Sequence, residues 1–179
     1  MSSRRTAFLA ATLAATSILP MSAQENRIAL GASGLSVVLP SHWRRSDQAD
    51  HRGEGTFGAF QSQDRTSSWF LSEAKADSQA DMSSIMEGVV KNFESAFRVN
   101  RIGEMRNGTL ADSVAVFTTL EAELRSATNS DTIPFRFYLA VLDTGESLYL
   151  IQASVQAPVR PEREKEVLAM MRSLRRIAR

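Results

Sequence analysis

The stretch FRFYLAVL, residues 135–142, decides the fold of this chain. Successive side chains of a β-strand point to opposite faces of the sheet, so alternate residues of the stretch divide into two sets. From residue 137 on, both sets are apolar, and they consist of Phe137, Leu139 and Val141 and of Tyr138, Ala140 and Leu142. A strand that is apolar on both faces has to be covered on both faces, which predicts a sheet in the middle layer of the fold.

Strands around this stretch are predicted from alternating apolar residues and from the turn residues that bound them. They cover residues 35–39, 56–62, 67–76, 102–106, 109–125 and 147–155. Asn107-Gly108 tolerates positive φ and predicts a tight hairpin turn. Asp143-Thr144-Gly145 predicts a second turn, after residue 142. Because these connections are short, we expect a single antiparallel sheet of about six to seven strands.

Two amphipathic helices are predicted to cover the two faces of this sheet. Ser78 and Asp81 form an approximate capping box before an apolar stripe that continues to Arg98. The second helix begins near Pro161, with Glu early and Arg late, as the helix dipole favours. Its predicted buried stripe consists of Val167, Met170, Met171, Leu174 and Ile177. The predicted fold class is α+β, a sheet between helices.

The first 23 residues have the order of a secretory signal peptide. Arg4 and Arg5 precede a short apolar run, residues 6–19, and a small-residue exit ends at Ala23. The run is shorter than the roughly 20 apolar residues that cross a membrane, so we expect export and no transmembrane anchor. The arginine pair also resembles a twin-arginine signal, and both export routes stay open. We expect cleavage after Ala23, a periplasmic or secreted location, and a single domain over residues 24–179.

Composition limits the kinds of partner. The chain has 21 Lys and Arg and 20 Asp and Glu, and losing Arg4 and Arg5 with the leader leaves 19 basic residues against 20 acidic ones. This balance argues against binding nucleic acid through bulk charge. The chain has no Cys, which excludes disulfides and thiolate metal ligands.

Two motifs resemble catalytic signatures. Residues 53–58, GEGTFG, match the kinase glycine loop, with Lys75 and Glu94 at kinase-like positions, but the base and metal-ligand motifs of kinases are missing after Glu94. The same glycines lack the strand before and the helix after that a dinucleotide site needs. Asp143-Thr144-Gly145 resembles the aspartic protease signature, yet one copy needs a symmetric dimer. For residues 53–58 the favoured interpretation is a flexible loop that leads into a strand. For Asp143-Thr144-Gly145 it is a hairpin turn.

His42 and His51 are the two histidines, so a Ser-His-Asp triad or a histidine metal site has to use one of them. Asp47, Asp50 and Glu54 share a loop with His51, but their spacing matches no named metal loop. A solvated loop is the favoured interpretation. We therefore predict no catalytic, cofactor or metal residues.

Two milder features remain. Arg172, Arg175, Arg176 and Arg179 would share one face of the last helix and hold an anionic partner or lipid headgroup, although a solvated helix end is favoured. Trp43 and Trp69 would line a pocket, although core packing is the better default for both.

The order of the elements resembles the PsbP-like family. The markers are Leu39-Pro40 followed by Ser41-His42-Trp43, a strand pair, a helix over residues 78–98, a hairpin meander, and Met171-Arg172-Ser173-Leu174 near the end. The resemblance spans residues 35–177. Relatives of the PsbP-like family include DcrB-like periplasmic proteins and a nuclear protein that binds the GTPase Ran. It implies an α/β/α sandwich and an accessory or binding role without catalytic residues.

Three functions are therefore considered. The leading one is an exported, non-enzymatic accessory protein with an unknown protein or small-molecule partner in the cell envelope. The alternative is a small-molecule carrier with an apolar pocket between helix and sheet, lined by Trp43, Trp69, Phe93 or Phe97. The third is a hydrolase that uses His42 or His51.

Overall fold

The structure is a computed structural model, and it describes residues 26–46, 55–74, 81–125 and 131–177. The predicted leader lies outside the described residues. Along the described chain the elements are β1 (Arg27–Ala29), β2 (Leu35–Val38), β3 (Trp43–Arg45), β4 (Thr56–Ser62), β5 (Ser67–Glu73), α1 (Met82–Ala96), β6 (Arg98–Ile102), β7 (Arg106–Leu110), β8 (Ser113–Arg125), β9 (Thr132–Asp143), β10 (Leu148–Gln156), α2 (Pro161–Arg172) and β11 (Arg175–Arg176). These elements confirm the α+β class.

Eight strands form one large antiparallel sheet. Its order is β3-β4-β5-β10-β9-β8, and β8 then pairs with β7 over its first half and with β6 over its second half. β8 and β9 pair along their whole length, from Val114 opposite Asp143 to Arg125 opposite Thr132. β9 and β10 therefore lie in the centre of the sheet.

The central strand confirms the prediction from the apolar stretch. No residue from Phe137 to Leu142 is more than 6% exposed. Phe137, Leu139 and Val141 pack in the core beneath α1. Tyr138, Ala140 and Leu142 pack in the core on the opposite face, beneath α2. Each face of the sheet therefore has its own hydrophobic cluster.

α1 begins later and ends earlier than the predicted helix. Its N-cap is Asp81, whose Oδ1 accepts a hydrogen bond of 2.8 Å from Ser84 N, and Ser78 lies outside the described residues. Its buried residues are Ile85, Met86, Val90 and Phe93. The helix ends at Ala96 because Arg98 opposite Glu123 begins the pairing of β6 with β8.

The face opposite α1 is covered by α2 together with a second sheet of three strands, in the order β1-β2-β11. The prediction of a single sheet of six to seven strands was therefore wrong. Leu30, Leu35 and Val37 are fully buried against this face, so the chain before β3 contributes to the core. α2 ends at Arg172, and Arg175 and Arg176 pair with β2. Ile177, predicted in the buried stripe, is 42% exposed.

The turn between β7 and β8 differs from the predicted one. Asn107 and Gly108 lie inside β7, and the chain reverses at Ala111 and Asp112, with φ of 50° and 58°. The prediction of a turn at Asn107-Gly108 was therefore wrong. A Cβ added at Gly108 would lie 3.0 Å from Phe117 Cε2, so this glycine makes room for a ring on the neighbouring strand.

Candidate functional site: a groove beside the end of α1

Among the described elements, α1 is the one helix on its side of the large sheet, and it packs on one part of that face. α1 packs on β6, β8 and β9, and residues of β4, β5 and β10 lie beside Phe97 at its end. The result is an open groove of about 210 Å³, here called the α1 groove. It is lined by Ser46, Gln61, Arg65, Ser67, Ser68, Phe70, Phe97, Leu124, Phe135, Phe137, Gln152 and Ser154.

One wall of the α1 groove is aromatic. The rings of Phe97 and Phe137 have centroids 5.3 Å apart, and Phe135 lies 5.9 Å from Phe137. Phe93 stands behind them, stacked on Phe97 at 5.3 Å and edge-on to Phe137 at 4.9 Å. Because each ring is fixed by its neighbours, the wall presents a preformed apolar surface.

The floor of the groove is polar and uncharged. Strand register places Gln61, Ser68 and Ser154 side by side across β4, β5 and β10. Ser68 Oγ and Ser154 Oγ are 2.7 Å apart, and this bond uses one of the two hydroxyl hydrogens. The second hydrogen has no acceptor among the described residues, so the floor offers a donor to a bound molecule.

Arg65 stands at the rim, in the turn between β4 and β5. Its φ is 59°, in the left-handed region that non-glycine residues rarely adopt. Among the described residues, no carboxylate lies within ion-pair distance of its guanidinium. The neighbouring Asp64 holds the turn, because Oδ1 accepts hydrogen bonds from Ser62 Oγ, at 2.6 Å, and from Thr66 N and Oγ1, at 3.2 and 2.9 Å.

A cluster of ionic groups ties this turn to α2 on the other side of the sheet. Arg163 Nη1 donates to Glu166 Oε2 at 2.9 Å, and Arg163 Nη2 donates to Asp64 Oδ2 at 2.6 Å. Burial opposes the ionisation of Glu166, but hydrogen bonds from Arg163, His42 and Trp43 outweigh it and lower the pKa of Glu166. Bonds from Ser62 and Thr66 in the turn, with Arg163, likewise hold the pKa of Asp64 well below its ordinary value.

His42 belongs to this cluster. Its Nε2 lies 2.9 Å from Arg163 Nη1 and 3.1 Å from Glu166 Oε2, so it accepts from Arg163 in one tautomer and donates to Glu166 when Nε2 carries a hydrogen. The hydrogen bonds of His42 described here involve charged groups of α2 and no serine or threonine hydroxyl. This arrangement positions α2 and does not resemble the nucleophile and base pair of a hydrolase.

A second set of charges lies beneath the first turn of α2. Tyr138 Oη donates to Glu164 Oε1 at 2.6 Å, and Arg136 Nη2 donates to Glu121 Oε1 at 2.8 Å. Burial and the bond to Glu164 raise the pKa of Tyr138 well above its ordinary value. Since these charges are matched to one another, the set resembles a structural network more than a binding site.

The structure places the predicted candidates in different parts of the molecule. Trp43 and Trp69 are buried in the core on the α2 side, and of the four predicted pocket residues Phe97 lines the α1 groove. Asp143-Thr144-Gly145 is confirmed as a turn, since Gly145 N donates to Asp143 Oδ1 at 2.7 Å. The loop with Asp47, Asp50, His51, Gly53 and Glu54 lies outside the described residues, as does Lys75. In the described ranges, no group of three or more His, Asp or Glu is arranged to hold a metal ion.

The predicted arginine face of the last helix is not formed. Arg175 and Arg176 lie in β11, beyond the end of α2, and Arg179 lies outside the described residues. Arg175 Nη1 donates to the carbonyl oxygens of Arg172 and Leu174, and Arg176 Nη2 donates to that of Thr144. Arg175 and Arg176 therefore donate to three carbonyl oxygens, and two of these carbonyls lie near the end of α2.

Sequence reasoning missed the polar floor of the groove. A signal was present, because Gln152 and Ser154 interrupt one face of the otherwise apolar β10, and Ser68 does so in β5. The alternation showed polar residues on one face of each strand. These polar residues lie side by side only because the strands have the order β4-β5-β10, and this order cannot be predicted from the sequence alone.

Comparison with known proteins identifies the fold. No family model matches the chain, and no curated protein matches its sequence. The Ran-binding protein Mog1p of Saccharomyces cerevisiae matches in structure with a TM-score of 0.51 and 9% identity, covering 86% of this chain and 96% of that one. CyanoP, the cyanobacterial PsbP of Synechocystis sp. PCC 6803, matches with a TM-score of 0.53 and 13% identity, covering 83% and 91%. The chain has a PsbP-like fold.

A third structure with this PsbP-like fold is LpqN of Mycobacterium tuberculosis, described as involved in cell envelope biogenesis. It has a TM-score of 0.53 and 14% identity, and the match covers 85% of this chain and 90% of LpqN. At such identities the matches establish the fold and no shared site residues. Within the described chain, neither helix has the length and apolar character needed to span a membrane.

Proposed function

We propose that this chain is an exported, non-enzymatic accessory protein that recognises its partner through the α1 groove. The observation that carries the proposal is the open groove beside the end of α1. Most of the central strands is packed beneath α1, α2 and the small sheet, and the groove presents an aromatic wall beside a polar floor. Concave sites with an apolar wall and a few polar groups are typical of recognition.

The chemistry of the described residues supports binding over catalysis. His42 is engaged by Arg163 and Glu166, on the α2 side of the sheet and away from the groove. The groove itself is lined by hydroxyls, amides, phenyl rings and one guanidinium. These groups orient a ligand, and the described part of the lining contains no histidine or carboxylate that would serve as a general base.

The structural neighbours support an accessory role at the level of the fold. Mog1p is a Ran-binding protein, and LpqN is involved in cell envelope biogenesis. The order of charge, apolar run and Ala23 at the start of the sequence supports export. Together they favour a partner in the cell envelope.

A small-molecule carrier is the second candidate, favoured by the apolar wall of the groove, whose volume is about 210 Å³. That volume lies below the usual range of about 300–1,000 Å³ for ligand pockets, and the groove is open to solvent. It therefore suits a compact ligand, or one group of a larger partner, better than a long lipid chain.

A blocking variant tests the proposed function. Gln61→Trp places an indole on the groove floor, and Gln63→Trp places the same group in the exposed turn outside the lining. We expect tagged wild-type and Gln63→Trp chains to enrich the same molecule from an envelope extract, and Gln61→Trp to lose it. Equal enrichment by all three, or enrichment by none, would overturn the proposal.

A further inference from the structure

We propose that the ligand of the α1 groove is a small organic monoanion, with one carboxylate on a compact aromatic or aliphatic body. This inference rests on the proposed function and adds the chemistry of what the groove recognises. Three independent features of the groove support it: its charge, the backbone at its rim, and its two unlike surfaces.

The charge of the groove lining is unbalanced. Among the described residues that line the groove, Arg65 is the one charged residue, in a chain whose acidic and basic residues are nearly equal in number. Several other arginines of the described chain, such as Arg136 and Arg163, are paired with carboxylates. A guanidinium without a partner beside neutral donors is complementary to a carboxylate, which it binds through two parallel hydrogen bonds.

The backbone at Arg65 is held in an unfavourable conformation. Its φ of 59° suits Gly or Asn far better than Arg. The surrounding contacts maintain it, because Asp64 accepts three hydrogen bonds within the turn and a fourth from Arg163 on α2. Strained residues that their surroundings hold in place are concentrated at ligand sites. The turn therefore presents Arg65 at the rim at an energetic cost to the fold.

The two surfaces of the groove match the two ends of such a ligand. The rings of Phe97, Phe135 and Phe137 provide an apolar surface for the body. Ser68 follows Arg65 closely in the same hairpin, and its pair with Ser154 has one hydroxyl hydrogen to donate. A single positive charge with neutral donors favours one carboxylate over a dianion, and the volume favours a compact body.

The test uses the full chain with its leader removed and phenylacetate as the probe, with 2-phenylethanol as its neutral counterpart. Arg65→Asn removes the charge while keeping a residue that tolerates positive φ. Arg160→Asn makes the same change at the exposed N-cap of α2, outside the groove. By calorimetry or NMR titration, we expect millimolar or tighter phenylacetate binding, weakened roughly tenfold by Arg65→Asn and unchanged by Arg160→Asn. We expect much weaker binding of 2-phenylethanol.

Several results would overturn this inference. They are equal binding of the acid and the alcohol, an equal effect of the two asparagine variants, or no phenylacetate binding. Binding of a peptide with a C-terminal Phe, without binding of the free acid, would overturn it in favour of a protein partner. If phenylacetate fails while Gln61→Trp still abolishes enrichment from the extract, the ligand class is wrong and the proposed function stands. If both fail, the groove is not the recognition site.

Discussion

Arg163 and Asp64 lie 99 positions apart in the sequence, and Arg163 Nη2 donates a hydrogen bond of 2.6 Å to Asp64 Oδ2. Arg163 lies on α2, which covers one face of the sheet. Asp64 lies in the turn that presents Arg65 to the α1 groove on the other face. One ion pair at the end of the sheet therefore connects the packing of α2 to the geometry of the candidate site.

The first prediction concerns the strength of this pair. In a double-mutant cycle with Arg163→Met and Asp64→Asn, we expect a coupling energy of about 1 kcal/mol, because both side chains are partly exposed and solvent screens their attraction. The free energy of unfolding from urea titrations of the four proteins gives this value. Strictly additive effects would show that the two groups do not interact in solution.

The second prediction concerns acid stability. Hydrogen bonds hold the pKa of Asp64 and of Glu166 below their ordinary values of 3.8 and 4.5. A carboxyl group whose pKa is lower in the folded chain stabilises the fold above its unfolded pKa, and this contribution is lost as the pH falls. From these two carboxyl groups we therefore expect a contribution to the free energy of unfolding that is constant between about pH 5 and pH 8 and that falls below about pH 4. Asp64→Asn should flatten the decrease, and an unchanged slope would contradict the assignment.

The third prediction compares two glycines. A Cβ at Gly58 would lie 2.8 Å from Cδ2 of Leu30, which is fully buried, so Gly58→Ala should lower the free energy of unfolding by about 1–3 kcal/mol. A Cβ at Gly88, exposed on α1, meets nothing within 4 Å, so Gly88→Ala should raise it by about 1 kcal/mol. Thermal or urea unfolding measures both. Equal effects of the two substitutions on the free energy of unfolding would mean that Gly58, the last glycine of the kinase-like motif, has no packing role.

The fourth prediction concerns the turn between β7 and β8. Asp112 has a φ of 58°, and relief of that strain by Gly outweighs the added entropy of the unfolded chain. Asp112→Gly should therefore raise the free energy of unfolding by about 0.5 kcal/mol. Thr109→Gly in the same hairpin has no such strain to relieve and should lower it by about 1 kcal/mol. A loss of stability in Asp112→Gly would contradict the turn geometry.

Local patterns in the sequence were sufficient to predict the layers of the fold. The alternation through Phe137 and Tyr138 predicts burial on both faces, and the periodicity through Ile85 and Phe93 predicts α1. Both patterns are carried by residues close together in the chain, so they can be recognised without knowledge of the tertiary structure. The small sheet could not be predicted, because Arg175 and Arg176 continue a helical pattern and form a strand only by pairing with β2.

The candidate site was less accessible to sequence reasoning because it depends on strand register. Gln61, Ser68 and Ser154 come from three strands and meet only in the order β4-β5-β10. Phe97 was predicted as a pocket residue because it belongs to the stripe of α1. Trp43 and Trp69 were predicted for the same pocket, but they lie on the opposite face, since apolar character alone does not say which face a strand residue occupies.

The fifth prediction uses those two tryptophans to locate the ligand. Trp69 is fully buried and Trp43 is nearly so, and both pack on the α2 side of the sheet, away from the α1 groove. Binding of phenylacetate in the groove should therefore leave the tryptophan emission of the wild-type chain unchanged. Phe97→Trp places an indole in the groove wall, and its emission should respond to the ligand in a saturable way. A saturable response of the wild-type chain with none from Phe97→Trp would place the ligand on the α2 side, because an indole reports the polarity of its own surroundings.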